Sequence, residues 1–459
     1  MARGRKKEAL TPEECLQAAL VPESEQPYKV PVNWCWVRLK ASINLYNGDR
    51  GTNYPSKKDY QFSGVPFINA GAIVDGELNE AEFNYISEEK YDALRAGKIQ
   101  QGDILYCLRG SLGKTAIVHQ KFKGAISSSL CILRANQSLL KEYLYYLLCS
   151  NVIGHQQVLA ENGSAQPNLS AASVMDYMIP LSPLAEQHRI VDRIESLFAK
   201  LDEARQKAQD ALDSFETRKA AILHKAFNGE LTAQWRKEHG VGMESWENVS
   251  VSEICHSLKY GTAKKSSSEG TVVVIRMGNL QDGEISWDDL AYSNDEEDIE
   301  KYKLVPGDVL FNRTNSPALV GKTSIYRGEY PAIYAGYLIK LDYDRSRVIG
   351  DYLNYSLNTV SAKEYCNSVK TDGVNQSNIN AKKIGAYIFA MPQIDEQAEI
   401  VRLLNDLLIK EQQAKEAAEG VMEQIDLIKK SILARAFRGE LGTNDPGEES
   451  VEEVLSSKS

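Results

Sequence analysis

The chain repeats itself, and the repeat limits what it can fold into. AFNGEL begins at Ala226 and AFRGEL at Ala436, PLAEQ ends at Gln187 and QIDEQ at Gln397, and QPNL at Gln166 answers QSNI at Gln376, each pair 210 residues apart. Further upstream the spacing drifts, as insertions would make it. Phe67-Ile68-Asn69-Ala70-Gly71 with Asp75-Gly76 corresponds to Val274-Ile275-Arg276-Met277-Gly278 with Asp282-Gly283. Gly102-Asp103-Ile104-Leu105 corresponds to Gly307-Asp308-Val309-Leu310, and Trp34, Val37 and Leu39 to Trp246, Val249 and Val251. Six correspondences in one order identify a tandem duplication. The last third of each copy is close, whereas the part before it shares only a skeleton. That pattern fits one scaffold carrying two different surfaces.

Each copy ends in a long helical pattern. Apolar or small residues recur at steps of three and four through Ile194, Leu197, Leu201, Ala204, Ala208, Ala211, Phe215 and Ile222, with Arg218 as a break. The second series is Leu404, Leu407, Ala414, Ala418, Val421, Ile425, Ile428 and Ile432, with Glu411 as its break. This is a coiled-coil seam, with Ala allowing close approach at its middle. Gly229 and Gly439 stand where C-terminal caps belong. Each helix of about 40 residues would be on the order of 60 Å long. Because domain termini lie close together, the second helix is expected to start near the end of the first and run back antiparallel. The globular units then sit at opposite ends of a rod with pseudo-twofold symmetry.

The expected fold class is α+β, with two mixed globular domains each followed by a long helix. The segments are an arm at 1–30, globular domains at 31–180 and 241–391, helical regions at 181–240 and 392–441, and a tail at 442–459. The arm carries a short helix with a capping box from Thr11 to Glu14. Strands are predicted at Val65–Ile68, 104–108, 271–275 and Val309–Asn312, bounded by turn residues, with one helix per domain over 139–149 and 351–365. The acidic, Gly- and Ser-containing tail reads as disordered.

Composition excludes several classes. No apolar run is long enough to span a bilayer, and the basic start (Arg3, Arg5, Lys6, Lys7) has no apolar segment after it to make a signal peptide. Seven scattered cysteines without a Cys-x-x-Cys pair suit a reducing cytoplasm. A net charge of −10 argues against gripping nucleic acid alone by bulk charge, so a DNA reader would need local basic patches or basic partners. The six histidines lack metal-ligand spacing, and neither an amino-methyltransferase motif nor a nuclease carboxylate cluster is present.

GSLGKT at 110–115 and ALVGKT at 318–323 look like phosphate loops, but the Gly that such a loop needs five residues before Gly-Lys is Leu108 or Ser316. They read instead as tight turns after a strand, with Gly113 and Gly321 supplying unusual backbone angles. Around them stand Arg109 and Ser111 in one copy and Asn312, Arg313, Thr314 and Asn315 in the other. Such side chains suit hydrogen bonding to base edges, while Lys114 and Lys322 suit phosphate contact. Asn69 and its counterpart Arg276 are further candidates, as are the basic stretches Lys57-Lys58 (with Tyr54) and Lys264-Lys265 (with Tyr260).

With these residues assembled, the chain resembles the specificity (S) subunits of type I restriction-modification systems over nearly its whole length. The resemblance rests on PLAEQHRIVDRIESLFAKLD and IDEQAEIVRLLNDLLIKEQ, the AFNGELTAQWR and AFRGEL endings, and GDILYCLRGSLGK and GDVLFNRTNSPALVGK. It implies a non-catalytic subunit in which each target-recognition domain reads half of a bipartite, asymmetric site in double-stranded DNA. The helices, through seam residues such as Ile194, Leu197, Leu201, Phe215, Ile222, Leu404, Leu407, Ile425 and Ile432, would set the gap and bind two modification (M) subunits. No cofactor is expected in this chain: S-adenosylmethionine belongs on the M subunits, and ATP and Mg on restriction (R) subunits. The competing readings are an enzyme with an unrecognised site and a coiled-coil adaptor without DNA specificity.

Overall fold

The computed structural model describes residues 17–161 and 167–458. The predicted capping box at Thr11 and the repeat residue Gln166 lie outside them. The chain divides into two compact units, one of residues 1–207 with 421–459 and the other of residues 208–420. The division falls across both long helices, so each unit holds one globular domain and a portion of each helix.

The globular domains repeat one topology. In the first unit the sheet runs Ile43–Asn47, Leu130–Ala135, Ile104–Cys107, Thr115–Ile117. In the second it runs Cys255–Tyr260, Leu338–Tyr343, Val309–Asn312, Thr323–Ile325, and continues into two short edge strands. A three-stranded sheet accompanies each: Asn84–Ile86, Val65–Ile68, Ala125–Ile126, and likewise Tyr292–Ser293, Val272–Ile275, Ala332–Tyr334. Ile104–Cys107 and Val309–Phe311 are apolar runs because both faces of these strands are covered. Side chains alternate across a strand, so Ile104 and Tyr106 enter one core while Leu105 and Cys107 enter another. Val309 and Phe311 are separated from Leu310 in the same way. The Gly-Asp that precedes each central strand is structural. Asp103 accepts from Arg134 Nε at 2.7 Å and Nη2 at 2.9 Å, and Asp308 pairs with Lys340 and Arg345.

Each domain has a helix pair where one helix was expected: Lys141–Leu148 with Asn151–Ala160, and Gly350–Leu357 with Val360–Val369. The apolar period runs on through the break, but a hydroxyl restarts the helix. Ser150 Oγ accepts from Val152 N, and Thr359 Oγ1 from Ala362 N.

The first long helix is interrupted, spanning Leu184–Asp213 and then Phe215–Phe227. Ser214 Oγ donates to the carbonyls of Asp210 and Ala211, and Arg218 Nη1 donates to Ala211 O. Side chains competing for backbone carbonyls bend helices. The second helix, Ile394–Ala436, runs unbroken for 43 residues.

The helices pair antiparallel within each unit. In the first, Asp202 meets Lys429 at 2.5 Å and Arg205 meets Asp426. In the second, Arg218 meets Glu411 at 2.7 Å and Lys415 lies over the Phe215 ring. The seam is narrower than the sequence period suggests. Ala208, Phe215, Ala418 and Ile425 are buried, and Leu197, Leu201, Ile222, Leu407 and Ile432 are half-buried, but Ala211, Ala414, Val421 and Ile428 are exposed. Ile194 and Leu404 are buried in the domain cores rather than in a free-standing coil. Leu223 and Leu433, one step past Ile222 and Ile432, complete those cores.

The repeated motifs lock helix ends to domains. Phe437 of AFRGEL packs edge-on against Tyr143 at 5.1 Å, and Phe227 of AFNGEL packs at a tilt against Tyr352, also at 5.1 Å. The end of each helix thus closes on the globular domain of the other repeat. Gly229 and Gly439 take positive φ of 84° and 75° as the chain leaves the helix. Gln187 and Gln397, both fully buried, each donate to two carbonyls and accept a backbone N–H at the start of a domain helix (Leu140 N, Ile349 N).

The buried carboxylates beside them hold the segments C-terminal to each GEL. Glu396 accepts from Thr232 Oγ1 at 2.6 Å, Arg236 Nη1 at 2.6 Å and Trp246 Nε1 at 3.0 Å. Glu186 accepts from Trp34 Nε1 at 2.7 Å, Asn444 Nδ2 at 2.9 Å and Thr443 Oγ1 at 3.4 Å. The expectation of a disordered tail is therefore corrected. Residues 443–448 dock on Glu186 and Arg189, Val451 is 5% exposed in the first core, and Val451–Lys458 is helical. Composition alone missed this because the tail's polar side chains have specific partners.

Candidate nucleic-acid interface

Four loops of the second unit converge at one edge of its sheets. They are the segment after the Cys255–Tyr260 strand, the turn between Val309–Asn312 and Thr323–Ile325, the turn at 335–337, and a hairpin of Thr371–Asp372 with Ser377–Asn378. Backbone bonds tie them together: Gly336 N donates to Thr262 O at 2.7 Å, Arg313 N to Tyr337 O at 3.0 Å, and Ile379 N to Arg313 O at 2.8 Å. Thr314–Asn315 adds a third strand to the hairpin. A Cβ at Gly261 would stand 2.1 Å from Tyr334 O, so only glycine allows this approach. The first unit is built alike. A Cβ at Gly48 would stand 2.6 Å from Ser127 O, and Leu169 N donates to Leu108 O at 2.8 Å.

The Gly-Lys segments are strand-end turns, as the missing glycines indicated. Gly113 (φ 75°) and Gly321 (φ 93°) turn their N–H groups inward to Cys107 O and Asn312 O. Cys107 N and Asn312 N donate in turn to Lys114 O and Lys322 O, both at 2.8 Å. No cradle of free amides faces outward at these glycines.

The predicted contact residues divide by what already holds them. Ser111, Lys57, Lys58 and Lys265 are exposed. Arg109 is exposed with Nε donating to Asn168 Oδ1 at 3.2 Å, and Lys114 reaches Ile73 O at 3.3 Å. Lys322 donates to Gln281 Oε1. Lys264 is committed to Asp295 at 2.8 Å and Asp298 at 3.5 Å. The hydrogen bond that Lys264 Nζ donates to the Asp295 carboxylate raises the Lys264 pKa and lowers that of Asp295. Asn69 and Arg276 form local turns beside the Gly-Lys loops: Asn69 Oδ1 accepts from Gly71 N, and Arg276 pairs with Asp289. Thr314 Oγ1 accepts from Asn378 Nδ2 at 2.8 Å, and Asn315 Oδ1 from Ser316 N.

Two expectations change. Asn312 is fully buried, with its amide directed to Met277 O, and cannot reach a base edge. As the last residue of a strand covered on both faces, it takes the place that Cys107 has in the first unit. Arg313 is half-buried and already engaged: its guanidinium lies 4.7 Å over the Tyr260 ring and donates to Gly336 O and Asn378 Oδ1.

The sequence reading missed the hairpin. All of residues 371–376 are exposed, Val374 completely so, and Tyr337 is 48% exposed beside them. The Asp372-Gly373 dipeptide, a turn signal, could have flagged it. Burial raises the thiol of Cys366, beside the Gly321 turn, to about 11. Among the described residues, no helix is long and apolar enough to cross a membrane.

Comparison with known proteins agrees with this architecture. A family model described as the type I restriction modification DNA specificity domain matches twice, over residues 31–211 and 243–419. The chain is 25% identical over 431 residues to the type I restriction enzyme EcoKI specificity subunit of Escherichia coli K12, covering 90% of each chain. It is similar in fold to the HsdS subunit from Thermoanaerobacter tengcongensis, with a TM-score of 0.61 and 22% identity, over 91% of this chain and 100% of that one. A solved structure described as the basis of complex assembly and conformational transition of the type I R-M system matches with a TM-score of 0.67 and 22% identity, over 90% and 100%.

Proposed function

From the premise that the chain belongs to the type I restriction-modification DNA specificity family, we propose that it reads a bipartite, asymmetric site in double-stranded DNA and catalyses nothing itself. Each unit reads one half-site through the loop edge described above. The paired helices join the two readings in one chain and present binding surfaces for two modification subunits and, through them, restriction subunits. S-adenosylmethionine, ATP and Mg belong to those partners, and the complex works in the cytoplasm.

The observation that carries this reading is the contrast between shared frame and divergent edge. Glu-Gln, AF-x-GEL and Gly-Asp make equivalent bonds in both units. The loops at the edge differ in length and chemistry: Leu108 stands where the second unit has Arg313, and Ser127–Ser129 where it has Ala335, Gly336 and Tyr337. A chain of net charge −10 suits recognition that depends on partners for much of its grip on phosphates. An adaptor without DNA specificity gives no reason for that divergence.

The test is methyl transfer from labelled S-adenosylmethionine to DNA. The pure chain should transfer none, and the chain with its modification subunit should methylate defined sites. Transfer by the pure chain, or site-independent transfer by the complex, contradicts the proposal.

A further inference from the structure

Arg313, a residue suited to base contact, is half-buried at the loop edge and already engaged by the protein's own groups. Its two terminal nitrogens bond Gly336 O and Asn378 Oδ1, each at 3.3 Å, and its face covers Tyr260. Its backbone bonds Tyr337 O and Ile379 N. Arg313 therefore joins three separate segments: the Tyr260 strand end, the turn at 335–337 and the base of the 371–378 hairpin.

Everything else about the hairpin is also fastened at its base. Asn378 Nδ2 donates to Thr314 Oγ1, Lys383 Nζ to Thr371 Oγ1 at 2.7 Å, and Ser377 Oγ to Asp372. Gly373 N donates to Gln376 O at 2.8 Å, closing the tip. Beyond that bond the side chains of Val374, Asn375 and Gln376 are exposed, and no hydrogen bond fixes either amide among the described residues.

Resting on the DNA-reading function proposed above, we infer that this hairpin tip is the base-reading element of the second unit, and that Arg313 is a positioning residue that holds it. A two-stranded ribbon fits the major groove; Asn and Gln amides match the adenine edge, and an apolar side chain packs on a thymine methyl. Lys370 and Lys382 flank the base of the hairpin, Lys382 exposed and Lys370 bonded to Pro317 O, placing positive charge beside the ribbon for the phosphates. A clasped base holds an exposed tip in which Gln376 matches Gln166 of the first copy, whereas Val374 and Asn375 belong to the second unit alone and can differ without disturbing the fold.

The experiment uses the full chain in complex with its modification subunit, acting on a plasmid library of random sequence, with methylated sites read by sequencing. The double variant Asn375→Ala, Gln376→Ala should keep wild-type thermal unfolding and one half-site unchanged, while discrimination at the other half-site falls by about tenfold or more. Arg313→Ala should relax that same half-site and also speed amide hydrogen exchange across 371–378; Arg313→Lys should retain only part of the protection. If the tip variant keeps the wild-type site, the hairpin is not the reader and the inference is overturned; if Arg313→Ala relaxes a half-site with hairpin exchange unchanged, it is overturned in favour of Arg313 reading bases directly. Absence of any defined site with the wild-type complex would instead defeat the functional reading itself, which is a separate result.

Discussion

The two helix-start carboxylates sit in equivalent places and are solved differently. Glu396 is paired with Arg236 in a buried ion pair, side chains 2% and 9% exposed, with Thr232 and the Trp246 indole completing its bonds. Glu186 keeps the indole, from Trp34, but has Asn444 and Thr443 in place of the arginine, and the charge partner moves outward to Arg189 with Glu448. Both arrangements fasten the segment after GEL to the start of a helix from the other repeat. The shared glutamate therefore marks a joint, and the chemistry of the joint is free to drift provided the carboxylate stays satisfied.

The sharpest way to break this comparison is to remove each carboxylate. Glu396→Ala leaves Arg236 buried without its charge partner, which should cost about 3–5 kcal/mol. Glu186→Ala removes an acceptor from neutral donors and should cost about 1–3 kcal/mol. Chemical denaturation of the full chain measures both, and equal losses would mean that the arginine is solvated and the joints are alike. A smaller effect should come from deletion of residues 443–459. Protection against amide exchange should fall around Trp34 and Glu186, while the 208–420 unit keeps its own protection. Unchanged exchange near Trp34 would show that the tail contributes nothing to the joint.

The sequence made the frame legible because repetition doubles each signal. The Glu-Gln pair, the AF-x-GEL endings and the Gly-turns recur in register, and each has a fixed physical task. Less legible were features that one local competitor decides. Ser214 bends the first helix through carbonyl bonds that no apolar period reveals. Ser150 and Thr359 split helices whose hydrophobic pattern runs on. The candidate site was half legible. The turn at Gly321 lies where the sequence placed it, but residue type could not say that Asn312 faces the core or that Arg313 is already bonded. Polar side chains with base-reading chemistry are also good internal fasteners, and only their partners distinguish the two uses.

The account holds that one frame carries two independent readings, and its most direct test is to give the frame the same reading twice. Both domains close on their frame with the same bond, Leu39 N to Tyr177 O at 2.7 Å and Val251 N to Tyr387 O at 2.9 Å, which defines where one can replace the other. Residues 39–177 grafted in place of 251–387 should yield a complex that methylates sites carrying the first half-site twice, with the second half-site no longer required. An intact complex that still methylates two unlike half-sites would contradict the account.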